Sequence, residues 1–152
     1  MQLLTLHSNM YFKPGLIFSL LFFVTSLQSQ TSTEELMGYY MSPGGNSIFK
    51  FYKEANKYYA KPVWMKRPSR LDTLNPDKSK HTRKILGSVL LWDFEFDGKN
   101  TWTNGHIYDA NKGKTYKAKM SRDKKGNVVL RGYVGLRILG KTEYFVKVDF
   151  KE

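Results

Sequence analysis

The chain has 152 residues, 25 Lys and Arg against 13 Asp and Glu, a formal net charge of +12, and no cysteine. The missing cysteines exclude disulfide scaffolds, zinc ribbons, iron–sulfur proteins and thiol enzymes, and no coiled-coil or collagen repeat is present. With 41% apolar residues and 15% aromatics the chain can bury a core, and its length suits one domain.

The first feature along the chain is residues 16–24, LIFSLLFFV, apolar except for Ser19. Lys13 is the only charge before it, and TSLQSQ follows. A basic start, a short apolar run and small residues after it make a secretory signal peptide. The run falls short of the roughly 20 apolar residues that a membrane-spanning helix needs. The expectation is a signal peptide over residues 1–29, cleaved after Ser29, with Met10 as an alternative start and one domain over 30–152. No cysteine follows the run, so the sequence offers no lipoprotein anchor. The remaining domain is expected to be exported, periplasmic or extracellular, and soluble.

Residues 37 onward read as β throughout, with Val, Ile, Tyr, Phe and Thr segments punctuated by Gly, Asn, Asp and Lys clusters. Eight strands are predicted, near 37–42, 46–53, 57–65, 88–97, 101–109, 114–122, 127–136 and 141–150. In the fourth, Trp92, Phe94 and Phe96 share one face and Asp93, Glu95 and Asp97 the other. In the fifth, His106 shares a face with Trp102 and Tyr108. In the sixth, Tyr116, Ala118 and Met120 oppose Lys117 and Lys119. In the last, Tyr144, Val146, Val148 and Phe150 oppose Glu143, Lys147 and Asp149. Pro43-Gly44-Gly45-Asn46, Asp97-Gly98, Asn111-Lys112-Gly113 and Lys125-Gly126-Asn127 are tight turns. Connections this short force antiparallel neighbours. The expected fold is therefore an all-β, antiparallel up-and-down barrel of about eight strands, with a two-sheet sandwich as the alternative.

One connection is long. Residues 66–84, KRPSRLDTLNPDKSKHTRK, are polar and basic, with a helical turn expected after Asn75 as N-cap and Pro76. Loops of this length are uncommon and are often lids or binding loops, although a plain surface excursion fits as well.

The shared residues then gather into an order: Asp72-x-x-Asn75-Pro76-Asp77, Leu86-Gly87 and Trp102-x-x-Gly105-x-Ile107-Tyr108-Asp109. Next come Gly113-Lys114-Thr115-Tyr116, Arg131-Gly132-Tyr133-Val134-Gly135 and Gly140-Lys141-Thr142. This order resembles the bacterial family called domain of unknown function 2147, small exported proteins, over roughly residues 36–148. The resemblance implies a lipocalin-like β-barrel and an envelope location, and it brings no known catalytic activity, because none is established for the family. Three positions depart from the family pattern. Asp109-Ala110 stands where Asp-Pro is usual, Tyr40 where a first-strand Trp is usual, and Lys147 where the last strand usually has Arg. In the lipocalin arrangement a last-strand cation covers the first-strand ring, so Tyr40 and Lys147 would form that pair. Lys lacks the planar guanidinium that stacks on a ring, so the contact would be weaker.

For catalysis the sequence offers little. Beyond the leader there are two histidines, His81 among cations and His106 without a visible partner, and no G-x-S-x-G elbow. No H-E-x-x-H or EF-hand loop calls for a metal, and no motif calls for a cofactor. Asp72, Asn75 and Asp77 are hard oxygen ligands close in sequence, but turn capping explains Asn75 and Asp77. Asp109 could serve a carboxylate-based hydrolase with a second acid, or could hold the turn that follows it.

The aromatics point to a binder instead. Tyr40, Trp102, Tyr108, Tyr116 and Tyr133, amphipathic rings spread over several strands, are candidate ligand-binding residues. Asn75, Asp77, Asp109 and Arg131, the polar members of the shared motifs, join them. An eight-stranded barrel either fills itself with side chains or holds one small ligand, and both readings stay open. The partner expected is a small amphipathic molecule or an envelope component.

Charge supplies the alternative. Residues 50–84 carry eleven Lys and Arg with three acids, and residues 112–125 carry seven with one. An exported protein rarely meets nucleic acid, so anionic envelope lipid or polysaccharide is the better match for a basic face. Solvated strand faces are the plainer explanation.

Overall fold

Runs of aromatic and β-branched residues, most of them stopped by a Gly, Asn or Asp turn, become eight strands. They are β1 (Gly38–Met41), β2 (Ser47–Glu54), β3 (Lys57–Met65), β4 (Leu91–Phe96), β5 (Thr101–Asp109), β6 (Lys114–Arg122), β7 (Val128–Tyr133) and β8 (Gly140–Val148). The computed structural model describes residues 36–135 and 140–152. The expected signal peptide, its cleavage site and the alternative start at Met10 lie outside the described residues. Each strand pairs antiparallel with the next, and β8 pairs back onto β1, closing the barrel. The up-and-down barrel is the architecture, and the sandwich is not.

Strand alternation sets two unlike ends. The tight turns after β2, β4 and β6 gather at one end, where β1 begins and β8 finishes. The β1–β2, β3–β4, β5–β6 and β7–β8 connections gather at the other.

Two bulges correct the predicted faces. Asp93 (φ 60°) and Asn104 (φ 61°) sit in the left-handed region where the register shifts. An extra residue in a strand reverses the alternation beyond it. Leu91 and Phe94 are therefore buried in the core and Phe96 packs against it partly buried, while Trp92, also partly buried at its edge, stacks on His106 with ring centroids 5.5 Å apart. Neither Trp92 with Phe94, nor His106 with Trp102, shares a face as period two predicted. Asn104 Nδ2 donates to Glu95 Oε2 at 2.9 Å, and Lys57 pairs with Asp93 at 3.3 Å, holding the bulges from outside.

The last strand is inverted relative to expectation. Phe145 is buried, whereas Tyr144 and Val146 are at least half exposed. Apolar residues occupy both faces of this strand, so periodicity alone could not choose between them. Pairing chooses: Phe145 lies opposite Val128, Glu143 opposite Leu130, and Lys141 opposite Gly132. The same register sets Lys147 directly opposite Tyr40.

The core is divided. Leu36, Tyr40, Phe51, Tyr58, Phe94, Trp102, Met120 and Val128 are buried and fill the end with the tight turns. Their rings meet edge to face: Tyr40 on Phe51 at 5.0 Å, Phe51 on Phe145 at 5.9 Å, and Tyr58 on Trp102 at 5.8 Å. Such pairs add roughly 0.5–1.5 kcal/mol each beyond area burial. Gly105 makes this packing fit, because a Cβ there would lie 2.3 Å from the Phe94 ring. Gly105→Ala is therefore expected to destabilise the barrel by about 1–3 kcal/mol through overpacking, read as a lower urea midpoint at unchanged m-value.

Candidate functional site

The other half of the barrel is hollow. A cavity of about 620 Å³ opens at the end that carries the long β3–β4 connection. Phe49, Leu91, Leu130 and Phe145 form its floor, above the packed aromatic half. Ile107, Tyr116 and Gly132 line the wall. Gly132 leaves space: a Cβ there would only touch Ile107 Cγ2 at 3.5 Å and Tyr116 Cβ at 3.9 Å. The volume lies in the range of small-molecule sites, and an apolar floor under a few polar groups is their usual lining.

The rim is charged. Lys141 and Glu143 reach the cavity from β8 and pair at 2.6 Å. The hydrogen bond to Glu143 and its charge, with Asp109 adding, push the Lys141 ammonium up. Asp109 pairs with Lys112 at 3.5 Å and accepts the Asn111 amide at 3.0 Å, so it does hold its turn. Arg70, from the long connection, donates to Ala110 O at 2.6 Å and Asn111 Oδ1 at 2.9 Å. Its charge meets no carboxylate among the described residues.

A buried carboxylate anchors the long connection beside this mouth. Asp72 is 0% exposed. Its Oδ1 accepts the Tyr108 hydroxyl at 2.6 Å. Its Oδ2 accepts Asn75 Nδ2 at 2.7 Å and Arg83 at 2.6 Å. Burial opposes the charged form, yet the hydrogen bonds from Tyr108, Asn75 and Arg83, with the Arg83 charge, hold Asp72 below the usual carboxylate range. Burial first, and then Asp72, push the Tyr108 hydroxyl up to about 12. The Leu71–Lys84 bridge closes the connection into a hairpin-like excursion. Gly113 (φ 63°) lets it press on the β5–β6 turn, where any Cβ would collide with the Leu74 carbonyl oxygen.

The helical turn expected in this segment exists but starts later. It is a 3₁₀ turn, Lys78–Lys80, capped by Asp77, whose carboxylate accepts the Ser79 amide at 3.1 Å. Asn75 is not the cap because its side chain is committed elsewhere: Oδ1 accepts the Asp77 amide at 2.9 Å while Nδ2 serves Asp72. The Asn75 carbonyl and His81 Nε2 lie 2.8 Å apart.

Of the residues singled out in the sequence, Tyr108, Asp109, Tyr116 and Tyr133 line the cavity. Tyr40 and Trp102 belong to the packed half, and Asn75 and Asp77 to the connection. Arg131 bonds Thr142 Oγ1 at 2.9 Å and is not among the cavity residues. Sequence reasoning missed Glu143 and Lys141 because it faced the last strand the wrong way. It missed Arg70 because nothing in a basic loop marks which cation turns toward the mouth.

With this geometry in place, the comparisons decide the family. A family described as "Uncharacterized protein conserved in bacteria (DUF2147)" has a sequence model that matches residues 38–147. The chain belongs to this family. Among solved structures it is similar to protein HP1028 from Helicobacter pylori, described as belonging to the lipocalin family. The two share 25% identity, with a TM-score of 0.70 over 75% of this chain and 83% of that one. A search of curated proteins gives no match. The DUF2147 barrel here is thus lipocalin-like, with a packed half, a hollow half and a tethered connection beside its mouth.

The tether predicts a pH response. Asp72 is depressed in the folded state, so its contribution is fully present above the unfolded carboxyl value, near 3.9, and is lost as pH falls through the folded value. Tyr108 is raised, so its contribution is present below about 10 and is lost as pH rises through about 12. Tyr108→Phe is expected to cost about 1.5–3 kcal/mol, the range for a hydrogen bond to a charged group, and to speed amide exchange across residues 66–87 at neutral pH. Hydrogen exchange against pH measures both effects.

Proposed function

We propose that this DUF2147 protein is an exported binder of a small amphipathic molecule, held in the open half of its barrel. The observation that carries the reading is the cavity of about 620 Å³ with an apolar floor and a charged rim. A ligand with an apolar body and a polar head would bury the body against Phe49, Leu91, Leu130 and Phe145. Its head would stay level with Arg70, Asp109, Lys112, Lys141 and Glu143. The lipocalin description of the H. pylori structure supports the reading by fold, and fold alone does not establish function. Export rests on the leader-like residues 1–29.

The fluorescent probe 1-anilinonaphthalene-8-sulfonate tests the cavity. Saturable, single-site enhancement is expected. Gly132→Leu, which projects a side chain into the cavity, should weaken it by tenfold or more, equivalent to roughly 1.4 kcal/mol, while circular dichroism shows the barrel intact. Saturable binding unchanged by Gly132→Leu would remove the cavity from the account. Native mass spectrometry of protein from its own cells should show a co-purified small molecule. The intact mass should place the mature terminus at Gln30. An uncleaved chain found in the cytoplasmic fraction would overturn the export reading.

A further inference from the structure

We propose that the open end of the barrel docks on an anionic phospholipid bilayer, with aliphatic side chains of the long connection entering the headgroup layer. Two properties of this end carry the inference together. The first is apolar exposure. Leu71, Leu74 and Leu86 are 43%, 53% and 39% exposed, and Val134 at the end of β7 is 67% exposed. All four lie in connections at the open end. Leu71 is bridged to Lys84, the Leu86 amide is held by Ser69 Oγ, and the Leu74 backbone abuts Gly113. The three leucines are therefore carried on a braced segment that the Asp72 network anchors.

The second property is charge of one uncompensated sign. The acids at this end are already matched: Asp72 with Arg83, Asp77 with Lys80, Asp109 with Lys112, and Glu143 with Lys141. Lys66, Arg67, Lys78 and Lys84 make no ion pair among the described residues and are exposed. Arg70 likewise meets only neutral oxygens. Cations surrounding exposed aliphatics complement a surface of anionic headgroups over acyl chains, and each basic residue near such a surface adds attraction. A purely electrostatic patch would not need the leucines, and an acidic protein or polysaccharide partner would leave a dye at position 74 outside any acyl layer. The cavity opens at the same end, so docking would place its mouth against the lipid.

The docking surface stands apart from the cavity reading, and one set of measurements separates them. The wild-type chain is incubated with large unilamellar vesicles of phosphatidylcholine alone, or with about a third phosphatidylglycerol, and sedimented. Binding to the anionic vesicles is expected, falling steeply as salt is raised past the physiological range, with little binding to the neutral vesicles. The triple variant Lys66→Glu, Arg67→Glu, Lys84→Glu should bind more weakly by on the order of 100-fold, at roughly fivefold or more for each residue. Lys124→Glu with Lys125→Glu, in the β6–β7 turn at the packed end, should bind as wild type. Because the chain has no cysteine, Leu74→Cys and Lys124→Cys can each carry a single environment-sensitive dye. The dye at position 74 should shift to the blue on anionic vesicles, and the dye at 124 should not. Gly132→Leu should leave vesicle binding unchanged even where it abolishes probe binding. Absence of vesicle binding overturns the proposal. So does equal weakening by both charge-reversal variants, which would indicate diffuse attraction. A position-74 dye that stays solvated while protein sediments overturns it too, and would point to a protein or polysaccharide partner for this face.

Discussion

The pairing of β8 with β1 closes the sheet, and closure fixes the width of everything inside it. A ring of eight strands is just wide enough for side chains to fill or for one small guest to occupy. This chain does both, one above the other. Large rings fill the end with the tight turns, whereas at the other end Phe49, Tyr116, Tyr133 and Phe145 line a cavity instead of filling it. Gly105 in the packed half admits the Phe94 ring, whereas Gly132 lines the cavity in the open half, where a Cβ would make only ordinary contacts. The same residue type serves opposite ends of one barrel, according to what stands across from it.

Closure also explains the bulges. The inward face of β4 and β5 must present Leu91, Phe94, Phe96 and Trp102, which no uninterrupted alternation can do. The left-handed residues Asp93 and Asn104 absorb the mismatch, with polar contacts from Lys57 and Glu95 on the outside. Trp92, partly buried against the edge of the core, then stacks on His106.

The long connection is held down by chemistry that is rare inside a small β-protein. A fully buried carboxylate is costly unless its oxygens are satisfied, and Asp72 has a phenol, an amide and a guanidinium. Removing one partner would strand the others, so the network favours a single placement of the segment. That placement brings Arg70 to the rim and sets the leucines of the segment at the open end, joining the cavity and the surface around it through one tether.

Much of the architecture could be read from residues alone. Short Gly and Asn turns between β-rich runs force antiparallel neighbours, and eight of them leave closure as the natural way to remove edges. The motif carried by Gly113 to Tyr116 and Arg131 to Gly135 was also legible, as was the turn role of Asp109. The inward face of β8 was not, because Tyr144, Phe145 and Val146 are all apolar and only pairing with β7 selects Phe145. The site suffered for it, since Glu143 and Lys141 travel with that face. Local chemistry in the sequence determines turns, strand count and direction, because those depend on residues near one another in the chain. Register, bulges, the partners of Asp72 and the division between packed and hollow halves were decided only by the tertiary structure. Each is a relation between residues far apart in sequence, fixed when the ring closes.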